Sequence, residues 1–584
     1  MRSFFKIFFA SLLSLIVFSI IGIFIFFVVL SAIASSDKPK IGTKGVLVLD
    51  LNKHYFEQQQ QDPIGELTGG SDNDVPGLYD VIRLINFAKK DSAIRGIYIK
   101  CNNNANGFAA SEELRNAILD FKKGGKFVVA YGDVISQNAY YVANVADKVY
   151  CNPQGSLDWR GFSASLFFIR GTLEKLNIQP QIFYAGKFKS ATEPLREYKM
   201  TEANRIQTSV YINDLYGRFL TAAAQRSKLD TGALHQLANT GAIQTANDAV
   251  KHNLINGARY DDEVKAEINQ WLKIKLTDKT NFVSLDKYKK AVDYKKSSGD
   301  RIAIIYAEGE IVDGKGDKGT IGSDEFKNII RKARFDKNIK AIVLRVNSPG
   351  GSALASEIIL RELILAKKEK PVIVSFGDVA ASGGYYIAAH ADSIFAQPNT
   401  ITGSIGVFGI IPNMEGFFKQ KLGVTFDGVK TGLFADMPSV SRPLNEAEKR
   451  FIQNSVDAIY HTFKTRVSEG RKKPMADVDS IAQGRVWTGE RALSIGLVDK
   501  LGNLQDAINS AARMAKLKEY RVKEYPERKG FIESILGDKK EEIKKVAIKE
   551  EIGEEQYEIL KRLRDIKKMI AIPQCRLPYD LKIN

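Results

Sequence analysis

Short apolar runs alternate along the chain with segments whose apolar residues recur every three or four positions. In the second half, the runs RIAIIYAEGEI, IKAIVLRVN and PVIVSF predict β-strands. Between them, DEFKNIIRKAR and ASEIILRELILAKKE have the apolar spacing of helices. Strand–helix–strand order implies parallel strands joined by right-handed crossovers, so the pattern predicts an α/β fold.

The N-terminus has a different pattern. No charged residue occurs in the thirty positions from Ile7 to Ser36. About 20 apolar residues span a bilayer, whereas the core of a secretory signal has only about 7–15. The length therefore predicts an uncleaved membrane anchor over residues 1–36, although the triplet Ala32–Ala34 also matches a cleavage motif. Arg2 and Lys6 would hold the start of the chain in the cytoplasm, with the rest outside.

An internal repeat organises the remaining chain. Residues 131–153 (YGDVISQNAYYVANVADKVYCNP) match residues 376–398 (FGDVAASGGYYIAAHADSIFAQP) without a gap, with nine of 23 positions identical. Further matches lie upstream and downstream at nearly the same offset. The predicted division is a first repeat over 43–280, a polar linker over 281–299, a second repeat over 300–515 and a charged tail over 516–584.

Composition narrows the classes of function. The formal charge of +17 comes from 85 basic residues interspersed with 68 acidic ones, without an aromatic-laced basic block. We interpret this as a solvated basic surface and expect no nucleic-acid partner. The three cysteines have neither a disulfide framework nor metal-ligand spacing, so we expect no cofactor and no metal. Buried thiols are the first interpretation, and a disulfide between Cys101 and Cys151 is the alternative.

The two repeats differ at two loops that follow predicted strands, where α/β sheets place their chemistry. The loop DVAASGG carries Ser382, whereas the first repeat has Gln137 at that position. The loop NSPGGSA carries Gly350, and the first repeat has Ala105 there. A serine beside a glycine loop and a helix start offers a nucleophile and convergent backbone N–H groups, as acyl transfer needs.

The base for this serine has to come from elsewhere. Repeat matching places none of the five histidines near Ser382, and His390, eight residues on, is interpreted as helix packing. In YAGKFKSATEPL, Lys187 matches Lys430 of the second repeat, whereas Lys189 falls opposite a glycine. Lys189 is thus special to the repeat that lacks the serine, which predicts that one half supplies the base and the other the nucleophile.

A lysine base carries an energetic requirement. Its pKa must fall by about 3 units from about 10.4, which costs roughly 4 kcal/mol and calls for burial away from carboxylates. Glu193 would oppose that shift if it faced Lys189. Ser404, in TITGSIGVFG, is the candidate hydroxyl that orients the amine; an ordinary turn serine is an equal alternative.

The motifs DVAASGGYYIA, NSPGGS, TGSIG, GRVWTG and GKFKSA together resemble those of the signal peptide peptidase A (protease IV) family, in its long form with tandem halves. The resemblance implies a Clp-protease/crotonase-like fold in each half and a serine endopeptidase with a Ser–Lys dyad. It implies Ser382 as nucleophile, Lys189 as general base, Ser404 as the hydroxyl that positions the lysine, and Gly350 and Gly383 as oxyanion donors.

The resemblance also implies a setting for the enzyme. The expected substrates are remnant signal peptides and similar apolar peptides. The expected assembly is a bowl-shaped homotetramer, anchored by one helix in the bacterial inner (cytoplasmic) membrane with its catalytic region in the periplasm. Two other classes stay open: a crotonase-like acyl-CoA hydratase or isomerase, which uses the same paired N–H groups, and a non-catalytic membrane scaffold.

Overall fold

Strands and helices alternate along the chain in the computed structural model, which describes residues 2–34, 38–59, 75–527 and 573–577. The helices are α1 (Arg2–Ala34), α2 (Leu78–Lys90), α3 (Phe108–Lys122), α4 (Gln137–Ala143), α5 (Arg170–Lys175), α6 (Glu193–Arg196), α7 (Glu202–Ser227), α8 (Thr231–Asn239), α9 (Ala246–Lys251), α10 (Asp261–Leu272), α11 (Leu285–Ala291), α12 (Ser323–Phe335), α13 (Ala353–Lys367), α14 (Gly383–Ala388), α15 (Glu446–Arg471), α16 (Met475–Ile481), α17 (Gly489–Ser494) and α18 (Leu504–Met514).

The strands are β1 (Gly45–Asp50), β2 (Ile94–Lys100), β3 (Phe127–Ile135), β4 (Lys148–Leu157), β5 (Gln179–Ala185), β6 (Gly257–Ala258), β7 (Phe282–Ser284), β8 (Asp300–Glu308), β9 (Glu310–Val312), β10 (Thr320–Gly322), β11 (Ile339–Ser348), β12 (Gly350–Ser352), β13 (Val372–Ala381), β14 (Ser393–Ala396), β15 (Ile401–Gly403), β16 (Val407–Asn413), β17 (Val486–Thr488), β18 (Lys500–Leu501), β19 (Tyr520–Tyr525) and β20 (Gln574–Arg576).

Each half of the chain forms its own largely parallel sheet. The first has the order β6-β4-β3-β2-β1-β7, and the second has β17-β15-β13-β11-β8-β19. In the first half β2 lies between β1 and β3, and in the second half β11 lies between β8 and β13. All these neighbours are parallel. Helices cover the sheets and enclose a separate apolar core in each half. The predicted α/β class with two tandem repeats is confirmed.

Periodicity located the central elements of the second half. The run RIAIIYAEGEI forms β8 and β9, IKAIVLRVN forms β11, and PVIVSF begins β13. In α12 the residues Phe326, Ile330 and Ala333 are buried, at the three- and four-residue spacing that predicted the helix. The apolar strands and helix faces thus build the core around which the loops are placed.

A third sheet joins the two halves, and the sequence pattern did not predict it. Its order is β10-β9-β12-β20-β16-β5, so that β5 of the first half pairs with β16 of the second. The pairing is antiparallel and runs from Ala185 opposite Val407 to Gln179 opposite Asn413. Because β5 ends where β16 begins, the segment after Ala185 and the segment before Val407 lie side by side.

The structure differs from the predicted linker and tail. Residues 282–284 of the expected linker form β7, which pairs with β1 at the edge of the first sheet. Its central residue, Val283, is fully buried there. In the expected tail, residues 520–525 form the edge strand β19. The segment KKEEIKKVAIKEEIGEEQYEILKRLRDIKK lies outside the described residues. The cysteines are buried free thiols, so a Cys101–Cys151 disulfide is absent from the structure.

Helix α1 contains a span from Phe4 to Gly22 that is long and apolar enough to cross a membrane. None of this span is buried against the rest of the protein. An apolar surface of that length has no partner in the described part of the chain, which is consistent with the predicted anchor.

A buried ion cluster also joins the halves. Arg345 of β11 is 1% exposed, and its Nε and Nη2 each lie 2.8 Å from a carboxylate oxygen of the first half, on Glu57 and Glu113. Its Nη1 donates to the Ser375 hydroxyl and the Phe376 carbonyl, both at 2.9 Å. Every nitrogen of the guanidinium therefore has a partner, so its desolvation is offset by hydrogen bonds.

We expect this cluster to make stability depend on pH. Burial raises the pKa of Glu113 from 4.5 to about 7. Between these values the folded chain keeps a proton that the unfolded chain has released, so this contribution to stability is lost as pH rises. Glu113→Gln removes that loss. As the pH increases from about 5 to 7, the unfolding temperature of Glu113→Gln should therefore rise relative to that of wild type. The corresponding change in the free energy of unfolding is at most about 3 kcal/mol.

Differential scanning calorimetry of Glu113→Gln and wild type across this range measures the effect. The exposed Glu519 provides the matched control, because Glu519→Gln should leave the wild-type profile unchanged. If the unfolding temperatures of Glu113→Gln and wild type change with pH in parallel, Glu113 is not the group responsible.

Candidate active site

Ser382 lies at the junction between β13 and α14, in a backbone conformation that residues other than glycine seldom adopt. Its φ is +55°, and its ψ is −113°. The backbone is held there on both sides: the Ser382 N–H donates to the Gly403 carbonyl at 2.8 Å, and the Ser382 carbonyl accepts from the Tyr386 N–H at 2.8 Å. Backbone strain of this kind costs about 1–3 kcal/mol and is concentrated at functional sites.

Lys189 reaches the same point from the other half of the chain. It follows β5, whose pairing with β16 carries it across the boundary between the halves. Its Nζ lies 2.8 Å from Ser382 Oγ, 3.1 Å from Ser404 Oγ and 3.1 Å from the Ser404 carbonyl oxygen. The structure thus brings together three residues separated by up to 215 positions in sequence.

The loop that carries Lys189 is fixed by contacts from both halves of the chain. The Phe188 N–H donates to the Gln483 carbonyl at 2.7 Å. Gln207 Nε2 donates to the Phe188 carbonyl at 3.0 Å. Gly484, at φ +72°, lies against the lysine so closely that a Cβ there would come within 2.7 Å of the Lys189 Cβ. The GRVWTG motif therefore begins with a glycine because the lysine needs its space.

The surroundings of Lys189 favour a neutral amine. The residue is 1% exposed, and burial lowers its pKa from 10.5 to about 7. Glu193, which would have opposed this shift, faces away: its carboxylate accepts hydrogen bonds from the Thr201 hydroxyl at 2.5 Å and from Asn204 Nδ2 at 2.8 Å. A neutral Lys189 amine with a free lone pair is therefore accessible near neutral pH.

Ser404 has an unusual backbone as well. Its φ is +53°, and its N–H donates to the Arg485 carbonyl at 2.7 Å. This geometry turns both the hydroxyl and the carbonyl of Ser404 toward Lys189 Nζ. Ser404 is thus a turn residue and a neighbour of the amine at once.

The glycine loop of β12 lies beside Ser382, with a short strand against it. Gly350 has φ +101°, and its N–H donates to Ser348 Oγ at 3.2 Å. Gly351 lies opposite Cys575 of β20 in an antiparallel pair. A Cβ on Gly383 would lie 3.1 Å from both the Gly351 nitrogen and the Cys575 oxygen. Gly351 and Gly383 thus adjoin the Cys575 carbonyl, whereas the N–H of Gly350 donates to a side chain.

The first half has lost this arrangement. Its equivalent helix α4 begins after Ser136, an ordinary cap with φ −70° whose side chain accepts from the Ala139 N–H. Gln137, at the position of Ser382, is tied to the next loop through its amide, which donates to the Gly161 carbonyl at 2.9 Å. Asn104 fills the place of the glycine loop and donates to Ser111 Oγ at 2.8 Å. Polar side chains thus occupy the space that a substrate would need.

Two residues that the sequence offered as alternative bases lie away from the site. His390 has Glu469 as its charged neighbour, at 3.7 Å, rather than Ser382. Lys187 is exposed, and its side chain lies over the Phe188 ring. A turn after β5, closed by the Lys189 N–H donating to the Gly186 carbonyl at 3.0 Å, leaves Lys187 exposed and Lys189 buried.

Sequence reasoning missed the residues that depend on long-range pairing. Gly351 follows Gly350, the predicted oxyanion donor, in the sequence PGG. Only the register with β20 distinguishes the N–H groups of these two glycines. Gly484 begins the motif GRVWTG, whose sequence alone indicates no role for the glycine. Cys575, in IPQCRLP, has no counterpart in either repeat, so self-similarity gave no signal for it.

The chain is similar to known proteases over most of its length. The profile of Peptidase family S49 matches residues 120–275 and 364–518. Protease 4 of Salmonella typhi is 35% identical over 510 residues, covering 84% of this chain and 82% of its own. Protease 4 of Haemophilus influenzae is 33% identical over 520 residues, covering 85% and 84%. The chloroplastic serine protease SPPA of Arabidopsis thaliana is 34% identical over 453 residues, covering 74% and 65%.

Proposed function

The chain belongs to peptidase family S49 and is a serine protease, and we propose that it cleaves apolar peptides, remnant signal peptides among them, with a Ser382–Lys189 dyad. The observation that carries the proposal is the 2.8 Å contact between Lys189 Nζ and Ser382 Oγ in a buried site that lowers the lysine pKa. Family membership decides against the acyl-CoA hydratase and scaffold alternatives.

The three neighbours of Lys189 Nζ match the bonding capacity of a neutral amine. A neutral amine has two N–H donors and one lone pair. In that form the two N–H groups donate to the Ser404 hydroxyl and carbonyl oxygens, which leaves the lone pair for the proton of Ser382, whose Oγ lies 2.8 Å from Nζ. Ser404 thereby orients the lone pair toward the nucleophile. As Ser382 Oγ attacks a carbonyl carbon, its proton passes to Lys189, which later returns it to the leaving amine.

The oxyanion of the tetrahedral intermediate needs two donors. We assign the N–H groups of Gly351 and Gly383, because both adjoin the carbonyl oxygen that lies in the groove. Gly350, predicted as a donor, contributes in another way: a Cβ there would come within 2.0 Å of that oxygen. Gly350 therefore keeps the space open while Gly351 supplies the N–H.

A peptide substrate can bind as an added strand. The edges of β12 and β16 flank a slot one strand wide, in which backbone hydrogen bonds hold a peptide regardless of its sequence. Extended peptides released from a bilayer fit such a slot. The apolar α1 helix would keep the enzyme at the membrane where these peptides arise, with its catalytic region on the periplasmic side of the bacterial inner membrane.

Labelling with a fluorophosphonate tests the nucleophile, and a pair of peptides tests the substrate class. The purified protein in detergent should form one adduct, which mass spectrometry of tryptic peptides locates at Ser382. It should also cleave a signal-peptide sequence faster than a polar peptide of equal length. An adduct on another residue, or equal cleavage of both peptides, would overturn the corresponding part of the proposal.

The activity should rise with pH through the titration of Lys189. Its pKa is lowered to about 7 by burial, and only the neutral amine accepts a proton. The value of kcat/KM should therefore increase about tenfold from about pH 6 to pH 8 and then level off. A peptide without titratable side chains in this range is the appropriate substrate. A profile that is flat, or that still rises above about pH 9, would contradict the assignment.

We also propose that the chain assembles as a homotetramer. Apolar side chains crowd the segment that follows β16 and are exposed in the single chain, namely Leu422, Phe426, Val429 and Leu433. Contiguous exposed apolar surface of this kind is typical of interfaces. Light scattering of the purified protein measures its mass, for which four chains are expected; the mass of one chain would contradict the proposal.

A further inference from the structure

A cleft of about 560 Å³ lies at the amino-terminal edge of the first sheet. It is bounded by the first residues of β2, β3 and β4, by the residue before β1 and by the end of α10. Ligand pockets have volumes of about 300–1,000 Å³, so the cleft is large enough for a small molecule or a headgroup. It lies at the opposite end of these strands from the loop of Gln137, which corresponds to the nucleophile loop.

The cleft is positively charged. Four cations line it, namely Lys44, Arg95, Lys148 and Lys273, and we call it the basic cleft. None of the four forms an ion pair with a carboxylate of the described residues. The one acid of the lining, Asp147, is engaged elsewhere: it pairs with Lys122 Nζ at 2.8 Å and accepts from the Val128 N–H at 2.7 Å. The charge of the four cations is therefore uncompensated and attracts an anion.

An aromatic pair forms the apolar part of the basic cleft. The Trp271 ring is half-buried and lies edge-to-face against Phe127, with the ring centroids 5.1 Å apart. The indole N–H groups of Trp159 and Trp487 each donate to a backbone carbonyl at 3.0 Å. That of Trp271 has no acceptor among the described residues. An indole with an apolar body and an available N–H is typical of the boundary between membrane and water.

The second repeat provides a control for these residues. At the same edge of its sheet, Asp300, Ser393 and Met514 stand where the first repeat has Lys44, Lys148 and Trp271. Lys340, the counterpart of Arg95, lies 4.0 Å from the Asp300 carboxylate, so its charge has a partner. The sheet edge itself therefore does not require cations and an indole. They are specific to the repeat that follows the apolar helix α1.

The basic cleft is close to α1 along the chain. Helix α1 ends at Ala34, and Lys44 follows ten residues later, directly before β1. Ten fully extended residues span at most about 36 Å. Whatever path the connecting residues take, the cleft stays within that distance of the end of the helix. A bilayer that holds α1 is thus within reach of the cleft.

We propose that the basic cleft binds the headgroup of an anionic phospholipid from the membrane that holds α1. The lipid phosphate lies among the four cations, each of which attracts an anionic membrane surface. Trp271 lies beside the headgroup, where indole rings are favoured. The bound headgroup holds the first repeat against the bilayer by the amino-terminal edge of its sheet. The inference rests on the proposed membrane anchor and is independent of the Ser–Lys mechanism.

Native mass spectrometry of the full chain in a neutral detergent tests the headgroup. The protein is mixed with equal amounts of phosphatidylglycerol and phosphatidylcholine that have identical acyl chains, and the lipids that stay bound are counted. Phosphatidylglycerol should be retained at least about tenfold more than phosphatidylcholine, whose choline cation is repelled by the cleft. Equal retention of the two lipids would overturn the proposal.

The residues of the second repeat supply the variants. Lys148→Ser should retain about fivefold less phosphatidylglycerol than wild type, and adding Lys44→Asp should bring retention down to that of phosphatidylcholine. Asp tolerates the left-handed backbone of Lys44, whose φ is +55°. Lys251→Ser, exposed and outside the cleft, is the matched control and should bind like wild type. Unchanged retention in both cleft variants would place the lipid elsewhere and overturn the proposal. Unfolding temperatures check that each variant is folded, and Lys148→Ser decides alone where the double variant is not.

Two further measurements separate the possible causes. Glycerol 3-phosphate, at the concentration of the phosphatidylglycerol, should leave the lipid bound; complete displacement would assign the cleft to a soluble phosphate ester instead. Flotation of the chain with liposomes of phosphatidylcholine alone tests the anchor. A chain that floats but does not prefer phosphatidylglycerol keeps the anchor and overturns the headgroup site. A chain that does not float overturns the anchor on which the inference rests.

Discussion

Lys189→Ala should reduce kcat/KM for an apolar peptide at least about 1000-fold, corresponding to about 4 kcal/mol of transition-state stabilisation. The variant lacks the only amine within hydrogen-bond distance of Ser382 Oγ among the described residues. Without it, the hydroxyl keeps its proton and is a poor nucleophile. The fold should persist, because removing a buried amine also removes its desolvation cost. Steady-state kinetics and the unfolding temperature measure the two effects.

Three further substitutions show that the amine is responsible. Lys187→Ala, two residues away and exposed, should retain wild-type activity. Lys189→Met keeps the volume of the side chain without a base, and Lys189→Arg keeps a cation that does not deprotonate. Both should be as inactive as Lys189→Ala. Full activity of Lys189→Met would assign the effect of the alanine to packing, and loss of activity in Lys187→Ala would move the base to Lys187.

The contact between Ser382 and Lys189 could be predicted from sequence because the two repeats act as controls for each other. A serine present in one copy and absent from the other cannot be required by the turn, and the same reasoning selected Lys189 over Lys187. The strands of each half followed from apolar runs, since buried parallel strands are apolar along their whole length.

The contacts that assemble the site could not be predicted in the same way. The pairing of β5 with β16 joins segments more than 200 residues apart, and neither segment has a periodic pattern distinguishing it from a loop. The register that distinguishes Gly351 from Gly350 depends on β20, which belongs to neither repeat. Local sequence specifies the chemistry carried by each loop, whereas its partner depends on how two whole halves pack.

Arg345→Met should lower the free energy of unfolding by about 3–5 kcal/mol, the usual cost of leaving buried charges without their partner. Arg345 is the cation between Glu57 and Glu113, which are 3% and 2% exposed. With it gone, two carboxylates of the first half face the apolar sheet of the second. Since both halves contribute to the site, the same substitution should also decrease activity as the halves separate. Thermal unfolding followed by circular dichroism measures the loss.

The expected pH dependence distinguishes lost charge pairing from a lost side-chain volume. Protonation relieves unpaired carboxylates, so the deficit of Arg345→Met should shrink as pH falls from about 8 to 5, whereas a packing defect would be constant. Adding Glu57→Gln and Glu113→Gln to Arg345→Met should restore much of the stability, because the two carboxylates that bond to the guanidinium are then replaced by neutral amides. The exposed Arg205 offers the control Arg205→Met. A triple variant no more stable than Arg345→Met would show that the arginine acts through shape rather than charge.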